Sequence, residues 1–298
     1  MPEEEYSFTP TQQLMQAEEI EAIARLFVQE GVKKIRLTGG EPLVRKDFPQ
    51  ILERLSRLPV QLTLTTNGTR VHEMLAAMKA AGIKSVNISL DTLQKDRFVL
   101  MTKRDKFSQV MSNIQLMLNN QIEVKVNMVV IKGINDSEII DFINWTINTP
   151  VHVRFIEFMP FDRNQWNSDK VITLHQILET ISSVYPIQPI NRLPHETAKN
   201  YRVPGNEGTF AVISTMSAPF CGDCNRMRLT ADGKMKNCLF STGETDLLSA
   251  YRRGENIIPL IHQNIIDKKE ALGGQLSTDM HTIETTQLTN RTMIRIGG

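Results

Sequence analysis

Cys221-Gly-Asp-Cys224 and Cys238 are the only cysteines among 298 residues, and they fall in one short window. A Cys-x₂-Cys pair presents two thiolates to one centre, and a third thiolate downstream fixes a site. Three soft sulfur ligands suit zinc or an iron–sulfur cluster rather than magnesium or calcium. Zinc would need a fourth ligand, and no histidine lies between Cys221 and Cys238. A [4Fe–4S] cluster on three thiolates leaves one iron open to a ligand. Three unligated thiols are the remaining reading. An odd cysteine count in a chain of this length does not suit a disulfide framework.

Other residues could join such a centre. Arg226 and Arg228 follow Cys224 at alternate positions. In an extended segment they share one face, two cations fitted either to a polyphosphate or to solvent. Thr38-Gly39-Gly40-Glu41-Pro42 reads as a strand-to-helix turn. Its glycines let backbone approach a ligand closely, while Glu41 and Pro42 suit a first helical turn. Polar groups also collect at Thr65-Thr66-Asn67-Gly68, at Ser89-Leu90-Asp91, at Lys125 and Asn127, and at Glu157-Phe158-Met159. Each alone reads as a cap or a satisfied polar group. Together they mark one rim, where βα folds bind ligands.

The elements that must position these groups alternate regularly up to about Met159. Ile20, Ile23, Ala24 and Phe27 mark an amphipathic helix stopped by Gly31. Strands are expected at 34–38, 62–66, 86–90, 124–130 and 153–158, with helices near 47–58, 71–81, 106–120 and 136–148. That alternation predicts βα units on a parallel sheet, open or closed into a barrel. The series opens on a helix, so a strand beside it is expected to be missing, leaving an exposed edge and uncovered apolar surface. Beyond Met159 come a polar loop, a helix carrying Leu174, Ile177, Leu178 and Ile181, and a proline-punctuated connector. A strand at 209–214 then leads into the cysteines. A boundary is placed near residue 200.

A formal charge of +1 gives no basic field for nucleic acid. No apolar run is long enough to span a bilayer, and Met1-Pro-Glu-Glu-Glu is unlike a signal peptide. With free thiols, these features predict a reducing compartment, the cytoplasm or an organelle matrix, with neither nucleic acid nor membrane as partner.

Taken together, Ile35-Arg-Leu-Thr-Gly-Gly-Glu-Pro-Leu43, Leu64-Thr-Thr-Asn-Gly68, Asn87-Ile-Ser-Leu-Asp91, Val124-Lys-Val-Asn127, Arg154-Phe-Ile-Glu-Phe-Met159, Phe220-Cys-Gly-Asp-Cys-Asn-Arg-Met-Arg-Leu229 and the terminal Gly297-Gly298 resemble the radical S-adenosylmethionine (SAM) GTP 3′,8-cyclases of molybdenum cofactor biosynthesis. The cysteine window with its arginines and the Gly-Gly end are the specific part. The Gly-Gly-Glu-Pro turn marks radical SAM enzymes broadly. The resemblance implies an α/β fold: an incomplete βα (TIM-like) barrel over residues 1–200, missing its first strand, and a C-terminal α+β cluster- and GTP-binding region over 201–298.

It further implies that Cys221, Cys224 and Cys238 hold a [4Fe–4S] cluster whose open iron meets guanine. Gly40, Ser89 and Met159 would contact SAM. Arg36, Thr66, Lys125, Arg226, Arg228, Gly297 and Gly298 would line the GTP site, with Thr66 hard to tell from its neighbouring threonines. The implied reaction cyclises GTP to 3′,8-cyclo-7,8-dihydro-GTP. A deoxyadenosyl radical abstracts the ribose 3′ hydrogen, and the carbon radical attacks C8 of guanine.

The sequence departs from that family at its start. The family's Cys-x₃-Cys-x₂-Cys motif for a first, SAM-reducing [4Fe–4S] cluster precedes a Met-Pro-Glu like that at Met1. The motif, the first strand and an upstream GTP-contacting arginine are not among these residues. The chain is therefore expected to be truncated and inert alone. A second [4Fe–4S] cluster and an electron donor belong to a longer form, and a homodimer is compatible with either. The alternatives are a non-catalytic GTP- and Fe–S-binding paralogue and a zinc-bound structural protein.

Overall fold

The computed structural model describes residues 9–161, 164–277, 279–284, 288 and 291–296. Helix α1 (Ala17–Gln29) precedes the first strand, β1 (Lys34–Leu37). There follow α2 (Phe48–Ser56), β2 (Gln61–Thr66), α3 (Val71–Ala80), β3 (Ser85–Ser89), α4 (Lys95–Thr102), α5 (Phe107–Asn119), β4 (Glu123–Val130), α6 (Ile139–Trp145), β5 (His152–Glu157) and α7 (Leu174–Ser182). Three more strands complete the sheet: β6 (Gln188–Pro189), β7 (Lys199–Arg202) and β8 (Thr209–Ile213). Its order is β1-β2-β3-β4-β5-β8-β7-β6. The run from β1 to β8 is parallel, whereas β7 and β6 are antiparallel additions. The prolines of the expected connector thus flank strands of this same sheet, and residue 200 falls inside β7.

Strand alternation divides the sheet chemically. Leu62, Leu64, Val86, Ile88, Val124, Val126, Met128, Val153, Phe155, Phe210 and Val212 point to one face. There they share a core with Leu52, Leu55, Met78, Ile114, Met117, Phe142 and Ile177 from the covering helices. The intervening residues, among them Lys34, Arg36, Asn87, Lys125, Asn127 and Arg154, take the other face. Arg36 on β1 and Arg154 on β5 share this face, and the charge of Arg36 lowers the pKa of Arg154.

The C-terminal part contains a three-stranded antiparallel sheet, β9 (Arg228–Leu229), β10 (Lys234–Lys236) and β11 (Thr245–Asp246), ordered β11-β10-β9. Helices α8 (Leu247–Arg252), α9 (Ile258–Ile266) and α10 (Met293–Ile296) accompany it. The expected α+β character is present.

Apolar surface on α1 is not left uncovered. Ala17 and Ala24 face the main core, while Ile23 and Phe27 pack with Met235, Leu247, Leu248, Ala250, Ile257 and Ile261. Arg252 pairs with Glu19 at 2.7 Å across that contact, and Arg54 on α2 reaches Glu21 at 2.9 Å. The C-terminal region thus covers the side of α1 that the alternation pattern left unpartnered. Among the described residues no helix is long and apolar enough to cross a membrane.

One buried carboxylate joins the sheet to the cysteine segment. Glu157, at the end of β5, is fully buried. It accepts from the Leu174 N–H at 2.8 Å, the Met216 N–H at 2.7 Å, the Ser217 N–H at 2.9 Å and the Ser217 hydroxyl. Glu157→Ala removes the acceptor of several buried donors, each worth about 1–3 kcal/mol when orphaned. The expected loss of stability is ~3 kcal/mol or more, read from the urea midpoint. A change below ~1 kcal/mol would show that water replaces the carboxylate.

Candidate active site: a cationic face beside three thiols

The polar face of the sheet is dominated by cations. Lys34 and Arg36 come from β1, Lys125 from β4 and Arg154 from β5. Arg226 and Arg228 enter from the segment that becomes β9. Burial lowers Arg154 to about 9, with Arg36 and Arg226 adding repulsion. Arg36 is brought to about 10 by burial and by Arg226. Arg228 also falls to about 10, chiefly by burial and then by Arg226, against an opposite pull from Cys238 and Cys224. Desolvation lowers Arg226 as well, although part of that residue is open to solvent. Lys34 is lowered by burial and by Arg36, Lys125 and Arg226.

Arg36, Arg154 and Arg228, at about 9 to 10, stay protonated at neutral pH. Their depressed values express crowding of poorly solvated positive charge. Glu123, the acidic side chain that offsets Lys34 and Arg154, is itself half-exposed and lies 3.2 Å from Lys125. Arg154 Nε donates to Asn127 Oδ1 at 2.9 Å, but Arg36 Nε is buried with no hydrogen-bond partner. An anion with several oxygens would satisfy these donors and relieve their repulsion.

The rim is knotted by Glu41. Its carboxylate accepts from Thr66 Oγ1 at 2.6 Å, the Asn67 N–H at 2.7 Å and the Leu43 N–H at 3.0 Å. Burial nevertheless raises its pKa. The turn before it needs Gly39, whose φ is +143°. Thr66 is buried, and its hydroxyl serves Glu41 and the Gly68 N–H. Thr65 is the threonine on the cationic face, where its Oγ1 accepts from Asn87 at 3.1 Å. Gly40, Ser89 and Met159 lie just past β1, at the end of β3 and just past β5, on the same rim. Asn164 donates to the Met159 carbonyl at 2.7 Å and holds that backbone in place.

The three cysteines are reduced and half-buried. Cys221 and Cys238 border an apolar wall of Phe161, Phe240, Leu272 and Leu276. Its two rings stack at 5.7 Å. The Leu272 N–H points to Cys221 Sγ at 3.4 Å. Asp223, between the paired cysteines, is fastened by Arg192 at 2.7 Å and by the His195 N–H at 3.2 Å. Among the described residues no three His, Cys, Asp or Glu side chains stand close enough to enclose a metal ion. The fit to an iron–sulfur group rests on donor chemistry: three thiols, an apolar wall, an N–H aimed at sulfur and adjacent cations that balance thiolate charge.

Of the expected site residues, Arg36, Arg226 and Arg228 converge beside Cys224 and Cys238, while Lys125 lies on the same sheet face beside Lys34 and His152. Gly297 and Gly298 lie outside the described residues. Lys34, His152 and Arg154 were not singled out from the sequence, though two-residue alternation from Arg36 and through β5 places them on the same face. No sequence motif connects Lys268 to the cysteines.

His152 reports on this field. Burial, then Arg154 and Lys125, lower its pKa to about 3, and its Nδ1 lies 2.7 Å from Thr209 Oγ1. The unfolded chain, with a histidine pKa of about 6.5, binds this proton between about pH 6.5 and pH 3 while the folded chain does not. Stability therefore falls as pH drops through that window, by ~2 kcal/mol between pH 6.5 and pH 5. Urea unfolding at both pH values should show a smaller loss in His152→Asn. An equal loss in both proteins would mean that His152 is protonated in the fold.

Residues 3–146 match the Radical SAM superfamily, and residues 151–273 match Molybdenum Cofactor Synthesis C. Molybdenum cofactor biosynthesis protein 1 of Mus musculus is 42% identical over all of this chain, which spans 47% of that protein. The chain thus spans about half the length of such relatives. The mitochondrial GTP 3′,8-cyclase of Arabidopsis thaliana is 41% identical, with 100% of this chain and 76% of the relative covered. The GTP 3′,8-cyclase of Alkaliphilus metalliredigens is 38% identical, with 100% and 92% covered. Streptococcus suis SuiB, solved with S-adenosylmethionine, shares the fold at a TM-score of 0.56 and 14% identity, over 80% of this chain and 58% of that one. With partial-barrel sheet, cationic face and cysteine window in place, the chain belongs to the radical SAM GTP 3′,8-cyclase family.

Proposed function

We propose that this chain carries the GTP-binding and second-cluster machinery of a GTP 3′,8-cyclase, the enzyme of the first step of molybdenum cofactor biosynthesis. The observation that carries the reading is the crowded set Arg36, Arg154, Arg226 and Arg228, with an unsatisfied buried Arg36 Nε, beside the thiols. Lys34 and Lys125 extend that set toward the amino ends of β1 and β4. The triphosphate would lie along the arginines with guanine toward Cys221, Cys224 and Cys238, the residues that would hold a [4Fe–4S] cluster. Gly40, Ser89 and Met159 frame the SAM side of the rim. SAM at a reducing cluster supplies the hydrogen-abstracting chemistry. The chain's own residues bind and orient GTP and exclude water from it.

Arg228→Ala should weaken GTP binding about 10- to 100-fold, the worth of a charged hydrogen bond, and leave iron content unchanged. Calorimetry and iron assay measure both. Lost iron with unchanged GTP affinity would make Arg228 a cluster residue instead.

The cysteine inventory favours a second statement about these residues as they stand. All three thiols lie in the C-terminal part, so the 298 residues carry no second thiolate set for SAM reduction. Alone they serve as a GTP- and Fe–S-binding unit. Under anaerobic conditions with dithionite and SAM, they should form no 5′-deoxyadenosine above background. Stoichiometric 5′-deoxyadenosine would overturn that assignment.

A further inference from the structure

Lys268 lies just beyond α9 and 44 residues from Cys224 in sequence. Its ammonium donates to the Cys224 carbonyl at 2.7 Å and the Arg226 carbonyl at 3.0 Å, and lies 3.6 Å from Cys224 Sγ. An ammonium has three N–H groups, and these three acceptors occupy all of them. Four residues on, the Leu272 N–H reaches Cys221 Sγ at 3.4 Å. Next comes Gly273, where φ is +69° and a Cβ would lie 2.5 Å from the Phe240 carbonyl carbon and 2.6 Å from the Ser241 nitrogen. That close approach is to the backbone just after Cys238. One short strap therefore touches the surroundings of all three cysteines.

Resting on the reading of the thiols as cluster ligands, we propose that Lys268 is a positioning residue that sets the reduction potential of the cluster and couples it to the anion-binding arginines. Two of its bonds fix the peptide carbonyls on either side of Asn225, and so the directions of the Cys224 and Arg226 side chains. The third places a positive charge against a ligand sulfur. Hydrogen bonds and charge at sulfur favour the reduced, more negative cluster. Removing the charge while keeping a neutral donor lowers the potential, and a guanidinium restores the charge.

The test uses the whole chain, reconstituted anaerobically with iron and sulfide, with Cys224→Ser as control. Redox titration followed by electron paramagnetic resonance reads the midpoint. Lys268→Gln should keep its iron and shift the oxidised/reduced balance about tenfold toward the oxidised form, about 59 mV lower for one electron. Lys268→Arg should return toward the parent midpoint. A parent-like midpoint in Lys268→Gln would overturn the proposal, as would an equal fall in both variants, which marks a packing role. If the parent chain and Cys224→Ser bind the same iron, the cluster assignment itself fails, whatever Lys268 does.

Discussion

Like charges gathered on the polar face of one sheet set the terms for this structure. Burial lowers the pKa values of Arg36, Arg154, Arg226 and Arg228, and repulsion from Arg226 adds to it at the other three. Such an arrangement opposes folding unless the scaffold is stable for other reasons. The scaffold's stability comes from the other face, where Val86, Ile88, Val124, Val126, Val153, Phe155 and Phe210 pack against the helices in one continuous core. Strand periodicity makes the two faces inseparable, because the same strands that fill the core hold the cations in place.

Two further devices keep the cations and the thiols together. Helix α1 packs on both of its sides, so the C-terminal region cannot shift without breaking the contacts of Ile23 and Phe27 with Met235 and Leu248. Glu157 ties the end of β5 to the start of α7 and to the loop after β8. That loop leads directly to Cys221. The sulfur site is therefore registered against the same strand that carries Arg154 and precedes Met159. Distances between the cationic face and the thiols are thus set by packed elements rather than by the cysteine loop alone.

Much of this was legible in the residues. The βα alternation, the rim, the arginine pair and the cysteine window are local patterns, and the strands built from them fall within a residue or two of expectation. Alternation from Arg36 and through β5 would also have found Lys34, His152 and Arg154. Adjacent threonines differ only in parity, and Thr65 takes the cationic face while Thr66 serves Glu41. What no local pattern encodes is long-range. The hairpin of β6 and β7 is too short and too rich in proline to read as sheet. The second side of α1 finds its partner more than two hundred residues away, and Lys268 finds Cys224 only through the packing of α9 on β10 and β11.

The central claim is that the cationic face takes the phosphates while guanine faces the thiols. Calorimetric titration of the anaerobic, iron-loaded chain with GTP, GDP and guanosine measures it most directly. The claim predicts that affinity falls with each loss of phosphate and that guanosine binds weakest. Guanosine binding as tightly as GTP would contradict it, because the buried arginines would then contribute nothing to the ligand.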